Sequence, residues 1–160
     1  MHLLTEKTVH IQRPMLAVFE YVSNMEKFGE WFPGVISIES ANTLRHGQQG
    51  KQYLETVSVP LKGTRKITLE VREVRGHHFF ATEGRFAPLM PRMEIALTET
   101  ETNSCALTWR MFSRNSNLFV KYIVLPLAGR VMDQRAAVGV AALKKRMEGG
   151  GRTLCGTHVA

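Results

Sequence analysis

Cysteine is scarce in this chain of 160 residues: Cys105 and Cys155 stand far apart, in no metal-binding or redox spacing. That argues against a disulfide framework and suits a reducing cytoplasm, the location expected here. No run of about 18 apolar residues exists to span a bilayer. The most apolar window, LFVKYIVLPLAG at 118–129, is short and interrupted by Lys121. The opening MHLLTEKTVHIQRP has no sustained apolar stretch before its charges, so no signal peptide is expected. Of the histidines, His2, His10, His46 and His158 are isolated, and the side chains of the neighbours His77 and His78 would diverge on a strand. No metal is expected from such spacing, and no cofactor. There is no Gly-x-Ser-x-Gly elbow, no glycine-rich phosphate loop and no nucleic-acid motif.

What is present describes an ordinary globular domain, with 44% hydrophobic and 22% charged residues. The length suits one domain with a continuous core, assigned to residues 1–148, with 149–160 as a flexible tail. The formal charge of +7 favours anionic surfaces, and a transient contact with anionic lipid headgroups is one reading of it. Arg65, Lys66 and Arg72 would then form a basic outer sheet face. No nucleic-acid partner is expected.

Aromatic residues are few, at 8%, yet EKFGEWFPGV at 26–35 concentrates Phe28, Trp31 and Phe32 before Pro33-Gly34. This stretch ends a helical segment. Pro14 suits a first helical turn, Met15, Val18, Phe19 and Val22 share one face, and Ser23 with Glu26 matches a capping box that restarts the chain as a second short helix. From residue 35 to 113 the pattern alternates instead. The clearest strand is TRKITLEVREV, with Ile67, Leu69 and Val71 on one face and Lys66, Thr68, Glu70 and Arg72 on the other. Short turns between consecutive strands predict an antiparallel meander with one face buried. Met132, Ala136, Val140, Leu143 and Met147 then form the stripe of a long helix from Asn117 to Glu148. Pro126 and Gly129 predict a kink near its start, and Gly149-Gly150-Gly151 a stop.

An apolar sheet face and a striped helix bury each other only when the helix lies across the concave side of the sheet. A curved sheet around one helix leaves space between them, which predicts an apolar cavity. The order of elements, PMLAVFEYVSNMEKFGEWFPGV and MDQRAAVGVAALKKRMEGG, resemble the START-like superfamily and its helix-grip fold. The nearest branch is that of polyketide cyclases, dehydrases and lipid-transport proteins. The resemblance implies an α+β fold with about seven antiparallel strands wrapped around a long C-terminal helix and two short helices after strand one. It implies no family-wide catalytic motif, since the superfamily includes both carriers and enzymes.

Binding of a small apolar molecule, such as a lipid, a quinone or a polyketide-like aromatic, is therefore the leading expectation. Candidate lining residues from the helical segments are Phe28, Trp31, Phe32, Tyr122, Met132 and Ala136. Those from the sheet are Tyr53, Val57, Ile67, Leu69, Phe80, Met93, Ile95, Trp109 and Met111. The connection GRFAPLMP at 84–91 adds Phe86 and Met90, as a lid or a plug. Tyr53, Glu55 and Tyr122 would orient the ligand. An alternative is a cyclase or dehydratase in which an inward Glu55, one of His77 and His78, or Asp133 moves protons. A third reading is an interaction module that uses the fold without a ligand.

Overall fold

In the computed structural model, which describes residues 1–59 and 63–149, seven antiparallel strands form one sheet in the order β1-β7-β6-β5-β4-β3-β2. The strands are β1 (His2–Ile11), β2 (Val35–Ser40), β3 (Gln52–Val59), β4 (Gly63–Arg75), β5 (Phe79–Arg85), β6 (Pro91–Glu101) and β7 (Ser104–Ser113). Consecutive strands from β2 to β7 are neighbours, so the meander follows directly from the turn signals, and β1 returns to pair with β7.

Between β1 and β2 the chain forms α1 (Met15–Ser23) and a 3-10 turn (Met25–Glu30). The predicted restart occurs one residue later than the capping box implied. Asn24 accepts from the Glu26 N–H through its Oδ1, while the Glu26 carboxylate turns away to Ser40. Asn serves as well as Ser at such a position, and Ser23 is buried instead.

The C-terminal helix α2 (Leu125–Gly149) is preceded by a π turn at Val120–Val124. Pro126 has no N–H to give the carbonyl four residues back, and the turn before it widens, with the Leu125 N–H on the Val120 carbonyl. The irregularity predicted at Pro126 thus takes this form. The glycines expected to stop the helix begin with Gly149, its last residue; Gly150, Gly151 and most of the expected tail lie outside the described residues.

Residues sharing a ladder position share a face. Tyr53 pairs with Leu69, Glu55 with Ile67, Met93 with Met111 and Ile95 with Trp109, and these point to the concave side. The helix α2 crosses that side along β1. Asp133 accepts from Thr5 Oγ1 at 2.7 Å and pairs with Lys7 Nζ at 2.8 Å. Further along, the Lys144 ammonium donates to the His10 carbonyl and Glu148 accepts from the Gln12 N–H at 2.9 Å. On the other side α2 reaches the β2–β3 edge through Arg135, whose Nη2 donates to the Ser58 carbonyl at 3.1 Å. Its guanidinium lies over Gly34, where φ is +90° and a Cβ would stand 2.5 Å from Nη1. Glycine at 34 therefore serves both the turn and the close approach. The fold is the helix grip, and no helix among the described residues is long and apolar enough to cross a membrane.

Candidate functional site

The concave face is graded in burial along its strands. At the end holding the β1–α1 connection, Ile11, Val18, Val22, Leu107 and Leu143 are sealed from solvent. At the opposite end Val57, Phe86, Met111 and Met132 are only half-buried, although they pack against the same core. Strand register puts the ends of β3, β5 and β7 and the starts of β4 and β6 at this second, more open end.

Between the two ends sits an aromatic cluster. Phe28 stacks on Phe32 at 4.8 Å between centroids and meets Trp31 edge-on at the same distance. Phe32 reaches Trp109 on β7 at 4.9 Å, and its Cδ2 would stand 2.9 Å from a Cβ at Gly139 on α2. The absence of a side chain at Gly139 is what lets the ring lie against the helix. Phe32 is thus a wedge between helix and sheet, and all four rings are buried.

Two polar groups stand out in this interior. Glu55 is 7% exposed, and burial alone raises its carboxyl to about 7. No neighbouring charge or hydrogen bond offsets that loss of hydration. The Trp109 indole Nε1 is buried without a hydrogen-bond partner among the described residues. Buried polar atoms are normally paired, so two such groups on one concave face call for a reason. Tyr53 differs. Fully buried, it gives or takes a hydrogen bond at 2.8 Å with His46 Nδ1, stacks on that imidazole, and has its hydroxyl pushed up to about 12 mainly by burial.

Ile67, Leu69, Phe80, Met93, Ile95 and Ala136 lie in the core beside these groups. Several sequence candidates fall elsewhere. His77 and His78 both occupy the exposed turn before Phe79, so neither faces inward; the strand begins two residues later than its apolar run suggested. His77 instead meets Phe19 edge-on at 5.4 Å. Asp133 is committed to β1, and its hydrogen bonds with Lys7 and Thr5 hold its carboxyl below the usual range. Tyr122 is exposed, with Lys121 over its ring. Met90, at φ +46°, turns to the convex face, where it joins Gln52, Thr68, Glu70, Arg72, Glu83, Arg85 and Arg114 around a cavity of about 350 Å3. Phe86 packs inward from the same loop, so the connection is divided between the two faces. Arg65, expected on the outer face, pairs with Val57 and so shares the concave side at its rim.

Sequence reasoning missed His46, Arg135 and the free indole N–H. Arg135 lies far in sequence from Ser58, and His46 reaches Tyr53 from the loop before its strand, where no local pattern announces the contact. The third concerns an atom, and alternation had already placed its residue correctly. A second cavity, open and of about 660 Å3, lies between β1 and α2 and includes Leu3, Leu4, Leu125, Pro126, Lys121 and Arg130. Among the described residues no group of His, Cys, Asp and Glu is arranged to hold a metal ion.

Residues 2–148 match the family model described as polyketide cyclase / dehydrase and lipid transport, and the chain belongs to that family. No curated protein matches it in sequence. Among solved structures, a START superfamily protein from Mycobacterium smegmatis is similar over 93% of this chain and 99% of its own, at 16% identity and a TM-score of 0.70. A protein from Thermus thermophilus is similar over 92% of this chain and 98% of its own, at 9% identity and a TM-score of 0.71. The di-domain ARO/CYC StfQ of the steffimycin biosynthetic pathway aligns with 93% of this chain over 51% of its own length, at 10% identity and a TM-score of 0.67. At these identities the likeness is one of fold.

Proposed function

We propose that this member of the polyketide cyclase/dehydrase and lipid-transport family binds a small, largely apolar molecule between its concave sheet and α2, entering at the end lined by Val57, Phe86, Met111 and Met132. The observation that carries the reading is the pair of unpartnered polar groups in an apolar interior, the Glu55 carboxyl and the Trp109 N–H. Packing alone gains nothing from either group, because each loses hydration and receives no bond in return. A ligand with a hydrogen-bonding group at each point would restore both. Protonated Glu55 donates to a carbonyl or phenol oxygen, and the indole N–H donates to an acceptor. A lipid acid, a quinone or an aromatic polyketide has such groups on an apolar frame. Burial of that frame supplies the affinity, at roughly 25 cal/mol per Å2 before ordering costs.

Entry requires Phe32 to yield, since it fills the middle of the grip. Ligand binding should therefore change the near-ultraviolet signal of Trp109, which Phe32 touches. The test is native mass spectrometry and calorimetry with quinones, fatty acids and polycyclic phenols. Stoichiometric binding that Glu55→Gln tolerates and Glu55→Leu weakens supports the reading; no binding of any of the three classes refutes it. A second reading, catalysis of a cyclisation or dehydration, is favoured by the same carboxyl, which near neutrality can give and take a proton. It requires that Glu55→Gln retain binding and lose turnover.

A further inference from the structure

We infer that the segment from Leu118 to Arg130, at the open end of the grip, docks on the surface of an anionic lipid bilayer. Leu118, Phe119, Tyr122, Ile123 and Leu127 are each 61–68% exposed. Their spacing puts them on one side of a helical segment about 13 Å long. Val120 and Leu125, on its other side, are buried and hold it to the body. Asn117 caps its start, accepting from the Phe119 N–H at 2.9 Å, and Asn115 Nδ2 donates to the Pro88 carbonyl in the neighbouring loop. The apolar face is therefore presented by an ordered element. Large side chains clustered in this way mark an interaction surface more often than chance exposure.

Charge decides what that surface meets. No Asp or Glu occurs between Glu101 and Asp133, between Glu83 and Glu94, between Glu55 and Glu70, or before Glu6. These four stretches supply the element ends that surround the open end of the grip. Within them Arg65, Lys66, Arg85, Lys121 and Arg130 have no carboxylate partner among the described residues. Away from that end the convex face, where a basic surface was expected, is neutralised instead. Arg72 is bound to Glu70 at 2.6 Å, Arg75 to Glu73 at 3.0 Å, Arg92 to Glu73, Glu83 and Glu94, and Arg110 to Glu6. Other cations without a carboxylate partner, such as Arg13, Arg45 and Lys145, lie away from this end, but here the unpaired cations surround exposed aromatic and aliphatic side chains. Apolar insertion flanked by unpaired cations is the chemistry of an anionic headgroup layer. The open groove between β1 and α2 continues this surface, with Leu3 and Pro126 beside Lys121 and Arg130, and its one carboxylate, Asp133, is paired with Lys7. Docking there turns the entrance of the grip toward the bilayer, but the inference does not rest on the grip being occupied.

The test places a reporter in the face of the intact protein. Trp31 and Trp109 are buried, so in Phe119→Trp the new indole is the fluorophore that meets solvent. With vesicles of phosphatidylcholine containing about one-third phosphatidylglycerol, its emission should shift to the blue and be quenched by brominated acyl chains. Lys121→Ser with Arg130→Ser should weaken binding about 30-fold, and added salt should do the same progressively. Ile123→Ser with Leu127→Ser should lose the quenching while melting as the parent does. Unchanged emission of the introduced indole with these vesicles overturns the inference, as does equal affinity for pure phosphatidylcholine. So does a dimer in sedimentation velocity that Ile123→Ser dissociates, if vesicle binding is absent, since the face would then belong to a second copy of the chain. None of these readouts changes if the grip proves to bind no ligand, so the two proposals fail separately.

Discussion

Glu55→Gln should make the protein more stable, and only above a definite pH. An ordinary glutamate titrates at 4.5, while burial in the folded state raises Glu55 to about 7. Below pH 4.5 the carboxyl is protonated in both states and costs nothing electrostatically. As pH rises from 4.5 toward 7, the unfolded chain releases a proton that the folded chain retains, and folding stability falls. Above 7 the folded carboxylate is ionised too and the loss levels off. The gap corresponds to roughly 3 kcal/mol at full extent. Glutamine has nearly the same shape and does not titrate. The difference in unfolding free energy between variant and parent should therefore be near zero at pH 4.5 and reach about 3 kcal/mol in the variant's favour at pH 8. In a chain of this size that is about 10 °C in melting temperature. Urea unfolding of both proteins at several pH values measures it, and using the difference cancels carboxylates such as Glu26 and Glu148, whose hydrogen bonds lower their titration in both proteins. A difference that stays flat across this range, or favours the parent at pH 8, refutes the claim that Glu55 is buried without compensation.

Gly139→Ala should destabilise the fold by about 1 kcal/mol in chemical denaturation despite the better helix propensity of alanine, because the new Cβ meets Phe32. Adding Phe32→Leu should recover part of that loss. Arg92→Met takes from Glu94 its ion-pair partner, while Glu83 keeps Arg114 and Glu73 keeps Arg75, and should cost about 2 kcal/mol in urea unfolding at pH 7. Tyr53→Phe removes the bond to His46 and should cost about 1 kcal/mol, with faster amide exchange in the loop carrying His46.

The sheet was legible because alternation is a local property. The strand expected at PRMEIALTETE runs Pro91–Glu101, and Ile67, Leu69 and Val71 are buried as the period-two pattern requires. The departures arise where one residue more or less changes a direction. A π turn holds an extra residue, which rotates the preceding turn by about 100° relative to the α2 stripe and carries Tyr122 outward. The strand after His77-His78 begins late, and the parity that sends Met93 inward sends Met90 outward. Glu55 could be found by parity from Val57 and Val59 on its own strand, whereas its lack of a partner could not, since that depends on every strand and helix around it. The neutralisation of the convex face was equally hidden, because Arg92 draws its three carboxylates from three different strands.

The two sides of α2 are fastened unequally. Along β1 it is secured by Asp133, Lys144 and Glu148, at points spread over most of its length. Toward β2, β3 and the 3-10 turn before them its polar ties among the described residues are the Arg135 guanidinium on the Ser58 carbonyl at 3.1 Å and the exposed Arg146–Glu30 ion pair at 3.4 Å. A beam attached along one margin and clasped at two points on the other has a natural axis of rotation, here the seam with β1. Releasing the clasps forfeits one hydrogen bond to a carbonyl and one solvent-exposed ion pair, whereas lifting the helix off β1 would break an ion pair and several bonds together. The easier motion swings α2 away from Gly34 and separates Gly139 from Phe32, so access to the interior would be governed from the margin opposite β1, where two arginines act as the catch.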